Sequence, residues 1–384
     1  MVHRNFDDIR PYRDDEIPAA MQRIASDPSF QLLASYVYPK EDLEYIRGKI
    51  REISSINEFQ LEVMRCVNEQ VISRSTTGFT YSGLEQLDKN TKYLFVSNHR
   101  DIMLDACLLQ YALYQEGYET TEITFGANLM QGQLVTDIGK SNKMFKVDRP
   151  GNSPREFYQS SLRLSEYIRY TLLEKRQSIW IAQRNGRTKD GTDKTDQGII
   201  KMFGMSGTTD NAHALAELNI VPVSVSYEWE SCDMLKTLEL YRSIGTKYVK
   251  KPGEDLNSIL TGIIQPKGHV HISFCAPVTY DDLRPFESCS SGDFHRKVAR
   301  LLDERICRSY RLMPNNYIAY DLLHSCDIYR SRYTSEQQEA FLAHLDKLGE
   351  FSALGCDIKV LRNILLGIYA NPVASEEHFR ENSI

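Results

Sequence analysis

Asn98-His99-Arg100-Asp101-Ile102-Met103-Leu104-Asp105 follows the apolar run Tyr93-Leu94-Phe95-Val96 and leads into Ala106-Cys107-Leu108-Leu109. A short apolar run that stops at polar residues reads as a buried strand, and the apolar residues after Asp105 read as a helix. A histidine therefore stands at a strand end with two aspartates in the first turns of the helix behind it. That rim is where α/β folds carry out their chemistry.

Outward from this stretch, residues 89–288 alternate strands with helices. The expected strands are Tyr93 to Ser97, Glu122 to Gly126, Met144 to Val147, Ser178 to Ala182, Ile220 to Tyr227 and His269 to Phe274, all short and mostly β-branched or aromatic. The alternation predicts an α/β fold with a mixed, largely parallel sheet flanked by helices. An expected helix from Glu156 to Lys175 carries Phe157, Leu164, Ile168 and Leu172 as an apolar stripe. Residues 1–88 read as an N-terminal helical region, in which Pro39 separates a segment from Ile17 to Ile24 from a longer one, Leu43 to Val71. In the longer segment Leu43, Ile46, Ile50, Ile53, Ile56 and Phe59 recur every three or four residues. Residues 289–384 return to helix, expected from Phe294 to Tyr310, Glu336 to Leu348 and Ile358 to Tyr369.

With 384 residues, 41% hydrophobic and 26% charged, the chain has room for one large α/β core and smaller additions. Its net charge of -6 argues against a nucleic-acid partner, because phosphate-backbone binders carry a basic excess. Eight cysteines are scattered without a C-x-x-C pair, and the start Met-Val-His-Arg-Asn lacks the apolar core of a signal peptide. Both features predict reduced thiols in a cytoplasmic protein. No stretch reaches the roughly 18 apolar residues of a membrane-spanning helix. No basic amphipathic anchor stands out either, and the apolar stripe of the N-terminal region reads as a packing face or as a surface for lipid or a partner.

His99 can act as a general base if a carboxylate accepts from one ring nitrogen and fixes the tautomer, and Asp105 is placed to do so. Asp101, four residues earlier, competes for that place, although an N-cap or first-turn acid explains it as well. A second cluster, Phe145-Lys146-Val147-Asp148-Arg149-Pro150-Gly151, ends a strand in Arg149, a guanidinium suited to a phosphate, a carboxylate or an ion pair. A third puts Asn185, Gly186 and Arg187 in a cation-rich loop after the apolar strand Ser178-Ile179-Trp180-Ile181-Ala182, a setting for a phosphate-sized pocket. Gly139-Lys140-Ser141 imitates the end of a P-loop, but Leu134 stands where its first glycine belongs. His269-Val270-His271 lacks a third ligand, so no metal site is expected. From these residues alone, proton transfer by His99, a metal-dependent phosphohydrolase using His99, Asp101 and Asp105, and a binding module without catalysis all stay open.

Four blocks in order, Asn98 to Asp105, Met144 to Arg149, Trp180 to Gly191 and Ile220-Val221-Pro222-Val223, resemble those of the glycerolipid acyltransferases, the group of glycerol-3-phosphate and lysophosphatidate acyltransferases. The likeness runs over roughly residues 90 to 285, because Tyr241 to Leu283 resembles the segment that follows in the glycerol-3-phosphate branch. It implies a glycerol-3-phosphate acyltransferase-like fold and a role in membrane lipid synthesis. A fatty acyl chain would move from acyl-CoA or acyl-carrier protein to a hydroxyl of glycerol-3-phosphate, a lysophospholipid or an amino-acid-containing lysolipid, with no cofactor. On this resemblance His99 is the base, Asp105 orients it, and Arg149 and Arg187 hold the acceptor's phosphate. The implied partners are the thioester donor, the phosphorylated acceptor and the cytoplasmic membrane surface. Two departures stand out. Five residues separate His99 from Asp105 where the family has four, so the helix starts differently or Asp101 substitutes. Asn185-Gly186 replaces the Glu-Gly of the third block, which removes a carboxylate.

Overall fold

Apolar runs of four to eight residues become six of the seven strands of a single sheet in the structure, a computed structural model that describes residues 5–130, 132–147, 153–246 and 248–382. The strands are β1 (Thr76–Ser82), β2 (Leu94–Ser97), β3 (Glu122–Gly126), β4 (Met144–Val147), β5 (Ile179–Ala182), β6 (Ile220–Tyr227) and β7 (Gly268–Phe274). Their order is β1-β7-β6-β2-β5-β3-β4. Strands β2 to β6 are parallel, β7 is antiparallel to β6, and β1 is parallel to β7. The fold is α/β with a mixed, largely parallel sheet.

Successive strand residues point to opposite faces, and both faces are covered, which is why the parallel strands read as continuous apolar runs. Leu94, Val96, Ile179 and Ile181 enter a core with Tyr167 and Ile168 of the Pro154–Arg169 helix and Phe294, Val298 and Leu302 of the Ser291–Ser309 helix. Phe95, Trp180, Val221 and Val223 enter the opposite core beneath Leu108, Leu109 and Ala112 of the Leu104–Gln115 helix. N-terminal helices add a third cluster around Cys107, and C-terminal helices a fourth around Phe341, Leu361 and Tyr369. Among the described residues no helix is long and apolar enough to cross a membrane. All eight cysteines are free thiols.

The chain leaves β2 for β3 and β4, returns to β5 beside β2, and then crosses to β6 on the other side of β2. Because these strands are parallel, Asn98-His99, the loop from Gln183 and the turn from Glu228 emerge together at one rim.

Two stretches differ from expectation. The segment Leu43 to Val71 is not one helix: Leu43–Glu52 ends, Ser55 caps a new start by accepting from Glu58 N at 3.2 Å, and one π turn (Gln60–Met64) precedes Arg65–Ser75. Ser54-Ser55 offers the backbone local hydrogen bonds that compete with the helix, although the apolar spacing runs through it. The strand β1 lies inside residues 1–88, expected to be helical. Its Thr-Thr-Gly-Phe-Thr-Tyr-Ser sequence has the β-branched and aromatic content of a strand, and β7 supplies the edge it pairs with.

Candidate active site

The turn after β2 is built by three buried side chains, Asn98, Asp101 and Asp105. Asn98 accepts from Val225 N at 2.7 Å and donates to Val225 O at 3.1 Å and to Asp193 Oδ2 at 3.0 Å, so it ties the end of β2 to β6 and to the loop beyond β5. The following helix begins only at Leu104, and the extra residue between His99 and Asp105 is taken up in the bend before it. Asp101 caps the bend that leads into that helix, two residues before its N-cap Met103. Its Oδ1 accepts from Met103 N and Leu104 N, both at 2.8 Å, and its Oδ2 accepts from Ser231 Oγ. Asp105 folds back instead: Oδ2 accepts from His99 Nδ1 at 3.0 Å, Arg100 N at 2.7 Å and Asp101 N at 2.9 Å, while Oδ1 accepts from the Tyr227 hydroxyl at 2.9 Å.

Four donors thus satisfy a fully buried carboxylate and fix its direction. Burial, reinforced by the charge of Asp105, pushes the Tyr227 hydroxyl well above its ordinary pKa, so it stays a donor. With Nδ1 of His99 donating to Asp105, Nε2 keeps its lone pair. Trp180 flanks the imidazole edge-to-face at 6.0 Å and is itself held by a 3.0 Å bond from its Nε1 to Ser97 Oγ.

The loop beyond β5 folds back over His99: Gln183 N donates to Ser97 O at 2.7 Å and Thr188 N to His99 O at 2.8 Å. Asn185 and Gly186 form its exposed tip, where Gly186 takes φ +74°, a left-handed conformation that glycine adopts freely. Arg187 returns inward and is 6% exposed, with Nη1 buried and unpartnered among the described residues. A buried donor without an acceptor costs about 1–3 kcal/mol, and more when charged, so this guanidinium suits an anion. The loop is pinned at Gly191, where a Cβ would lie 2.0 Å from the carbonyl of Ile368 in the C-terminal helix. The rim therefore brings together His99, Asp105 and Arg187. Asp101 is bound up in capping, and Asn185 and Gly186 face solvent. Arg149 lies outside the described residues.

Beneath this turn lies a charged cluster to which the sequence did not point. Arg100, beside His99, is fully buried: Nη2 donates to Asp193 Oδ2 at 2.5 Å and Gly191 O at 3.1 Å, and Nη1 to Glu230 Oε2 at 3.3 Å. Lys236 Nζ completes the cluster, reaching Glu230 Oε1 at 2.6 Å and Arg100 O at 2.7 Å. An arginine between a histidine and an aspartate carries no sign of burial, and its partners are some 90 and 130 residues away in sequence. Tyr227 was traceable only as the last residue of a predicted strand. Among the described residues the grouping with metal-ligand geometry is Asp210, His213 and Glu287, exposed and sharing no residue with this turn. The rings of His269 and His271 instead share the Thr80 hydroxyl at 2.8 and 2.7 Å.

Residues 78–226 match the family described as Acyltransferase. Among solved structures the chain is similar to the 1-acyl-sn-glycerophosphate (LPA) acyltransferase PlsC from Thermotoga maritima, at 14% identity over 75% of this chain and 94% of that one, with a TM-score of 0.35. No curated protein sequence matches. The matched segment runs from β1 to β6 and contains the His99 turn and the Arg187 loop.

Proposed function

We propose that the protein transfers a fatty acyl chain from the thioester of acyl-CoA or acyl-carrier protein to a hydroxyl of glycerol-3-phosphate or a lysophospholipid, at the cytoplasmic face of the membrane. His99 Nε2 takes the hydroxyl proton as the oxygen attacks the thioester carbonyl. The tetrahedral intermediate collapses, the carbon–sulfur bond breaks, and the imidazolium returns its proton to the thiolate, leaving an ester and a free thiol. Asp105 holds the imidazole in the tautomer that exposes Nε2 and offsets the charge it gains. Arg187 receives the acceptor's phosphate through charge-assisted hydrogen bonds, which keeps the hydroxyl near the base and lowers the entropic part of the barrier. In this reading Arg149 is a second phosphate ligand, and Asn185 and Gly186 let the loop tip approach the head group.

The observation that carries the reading is the 3.0 Å contact of His99 Nδ1 with a fully satisfied Asp105, on the same rim as a buried guanidinium that lacks an acceptor. A binding module needs no such oriented base. The test is thiol release and ester formation from palmitoyl-CoA with glycerol-3-phosphate or lysophosphatidate. Wild type turns over and His99→Ala falls to background; equal rates for the two proteins would sink the proposal.

A further inference from the structure

Of the fifteen large apolar side chains exposed among the described residues, five lie between positions 244 and 264: Ile244, Val249, Leu256, Leu260 and Ile264, each 47–77% exposed. Leu256, Leu260 and Ile264 recur every four residues on the Glu254–Ile264 helix and form one stripe. The opposite stripe is small and faces the candidate site. Ser258 is buried and its carbonyl accepts from Cys232 Sγ at 3.2 Å, and Gly262 packs so closely that a Cβ there would lie 2.2 Å from Asp101 Oδ2. This helix is thus a wall of the His99 turn, and its apolar face lies about one helix diameter, roughly 10 Å, from Asp101.

Charge around the face is sorted by sign. The two acids at its start are half-buried and occupied: Glu254 accepts from the Tyr248 hydroxyl at 2.7 Å, and Asp255 accepts from Lys250 at 2.5 Å and from Asn128 at 3.4 Å. Arg242 and Lys251 are exposed at the rim, while Lys250 is paired with Asp255. An apolar stripe edged by cations is complementary to an anionic lipid surface, where apolar burial and attraction to head groups act together. The sequence conceals this because the cations precede the helix instead of sharing it.

We infer that the outer face of the Glu254–Ile264 helix, with Ile244 and Val249, docks the protein on an anionic membrane and sets the His99 turn at the lipid interface. The inference rests on the lipid-acylation reading for its purpose, yet its test does not need turnover. Full-length protein is sedimented with vesicles of equal parts phosphatidylcholine and phosphatidylglycerol, and with phosphatidylcholine alone. Wild type should bind the anionic vesicles, and less so as salt rises. Leu256→Glu/Leu260→Glu and, on the loop, Ile244→Asp/Val249→Asp should each weaken binding at least tenfold, and Arg242→Glu/Lys251→Glu should abolish the preference for phosphatidylglycerol. Thermal melts, and thiol release with glycerol-3-phosphate and a short-chain acyl-CoA, should match wild type. Vesicle binding unchanged in both apolar variants overturns the inference. So does a wild type that ignores vesicles, whether it pairs with itself or retains acyl-carrier protein through this face. Absent turnover in every protein would refute the acylation reading while the vesicle result still stands.

Discussion

Replacing Asp105 by asparagine separates the charge of this carboxylate from its shape. The amide is isosteric: its oxygen can stay on Arg100 N and Asp101 N, and its NH2 can donate to the Tyr227 oxygen, so the turn should persist. What disappears is the negative charge 3.0 Å from the imidazole. An imidazolium and a carboxylate at that distance attract by about 5 kcal/mol at an effective dielectric near 20, of which an amide dipole retains a part. A loss of about 3–5 kcal/mol in the proton-transfer step is a 10²- to 10⁴-fold fall in kcat, the size of general-base assistance itself. The acceptor's KM should hardly move, because Arg187 is untouched. Asp101→Ala is the control. Removing the cap costs about 1 kcal/mol, and leaving the buried Ser231 hydroxyl only its 3.6 Å contact with Cys232 Sγ costs up to about 1–3 kcal/mol more, so it should lower the melting temperature with a small effect on kcat. Thiol-release kinetics and thermal melts on both variants decide the matter. If Asp105→Asn stays within tenfold of wild type, or folded Asp101→Ala loses as much rate, the assignment of Asp105 to His99 is wrong.

Arg187→Ala should raise the KM for the phosphorylated acceptor about 10- to 100-fold, the value of one or two charge-assisted hydrogen bonds, with a smaller change in kcat. Steady-state kinetics in the acceptor check this, and Arg187→Lys should recover part of the loss. Arg100→Met leaves Asp193 and Glu230 buried with one cation fewer, and should destabilise by about 3–5 kcal/mol in a denaturant melt. Burial pushes the Asp303 carboxyl up to about 6. Between its unfolded value near 4 and that pKa the folded state binds the extra proton, so stability falls as pH rises through this window and the deficit persists above it. Asp303→Asn, which keeps an acceptor for Thr195 N, should therefore melt higher than wild type at pH 8 and no higher at pH 4.

Much of the rim could be read from the chain because its parts are local. Six of the seven strands are short apolar runs, and a strand four residues long that ends at Ser97, two residues before His99, carries its own boundary. The conformation of Asp101 was half legible, since an acid three residues before Leu104 is a natural cap, but capping and pairing with His99 are equally local possibilities. β1 was hidden because the apolar spacing upstream reads as continuous helix, and Thr76–Ser82 becomes a strand only where β7 offers it an edge.

The sequence by itself determined the strand-end histidine, the helix behind it, the glycine-bearing loop after β5 and their order along the chain, because each is specified by neighbours a few residues apart. Only the tertiary structure decided which carboxylate serves His99. That choice depends on the bend at 101–103, on Tyr227 arriving from β6 and on Ser231 claiming Asp101. Only the tertiary structure, too, buries Arg100 among Asp193, Glu230 and Lys236 and turns Leu256, Leu260 and Ile264 outward beside the site. The physical reason is the same in each case. A charge or an apolar side chain has no fixed meaning in a chain until distant segments supply, or fail to supply, its partner.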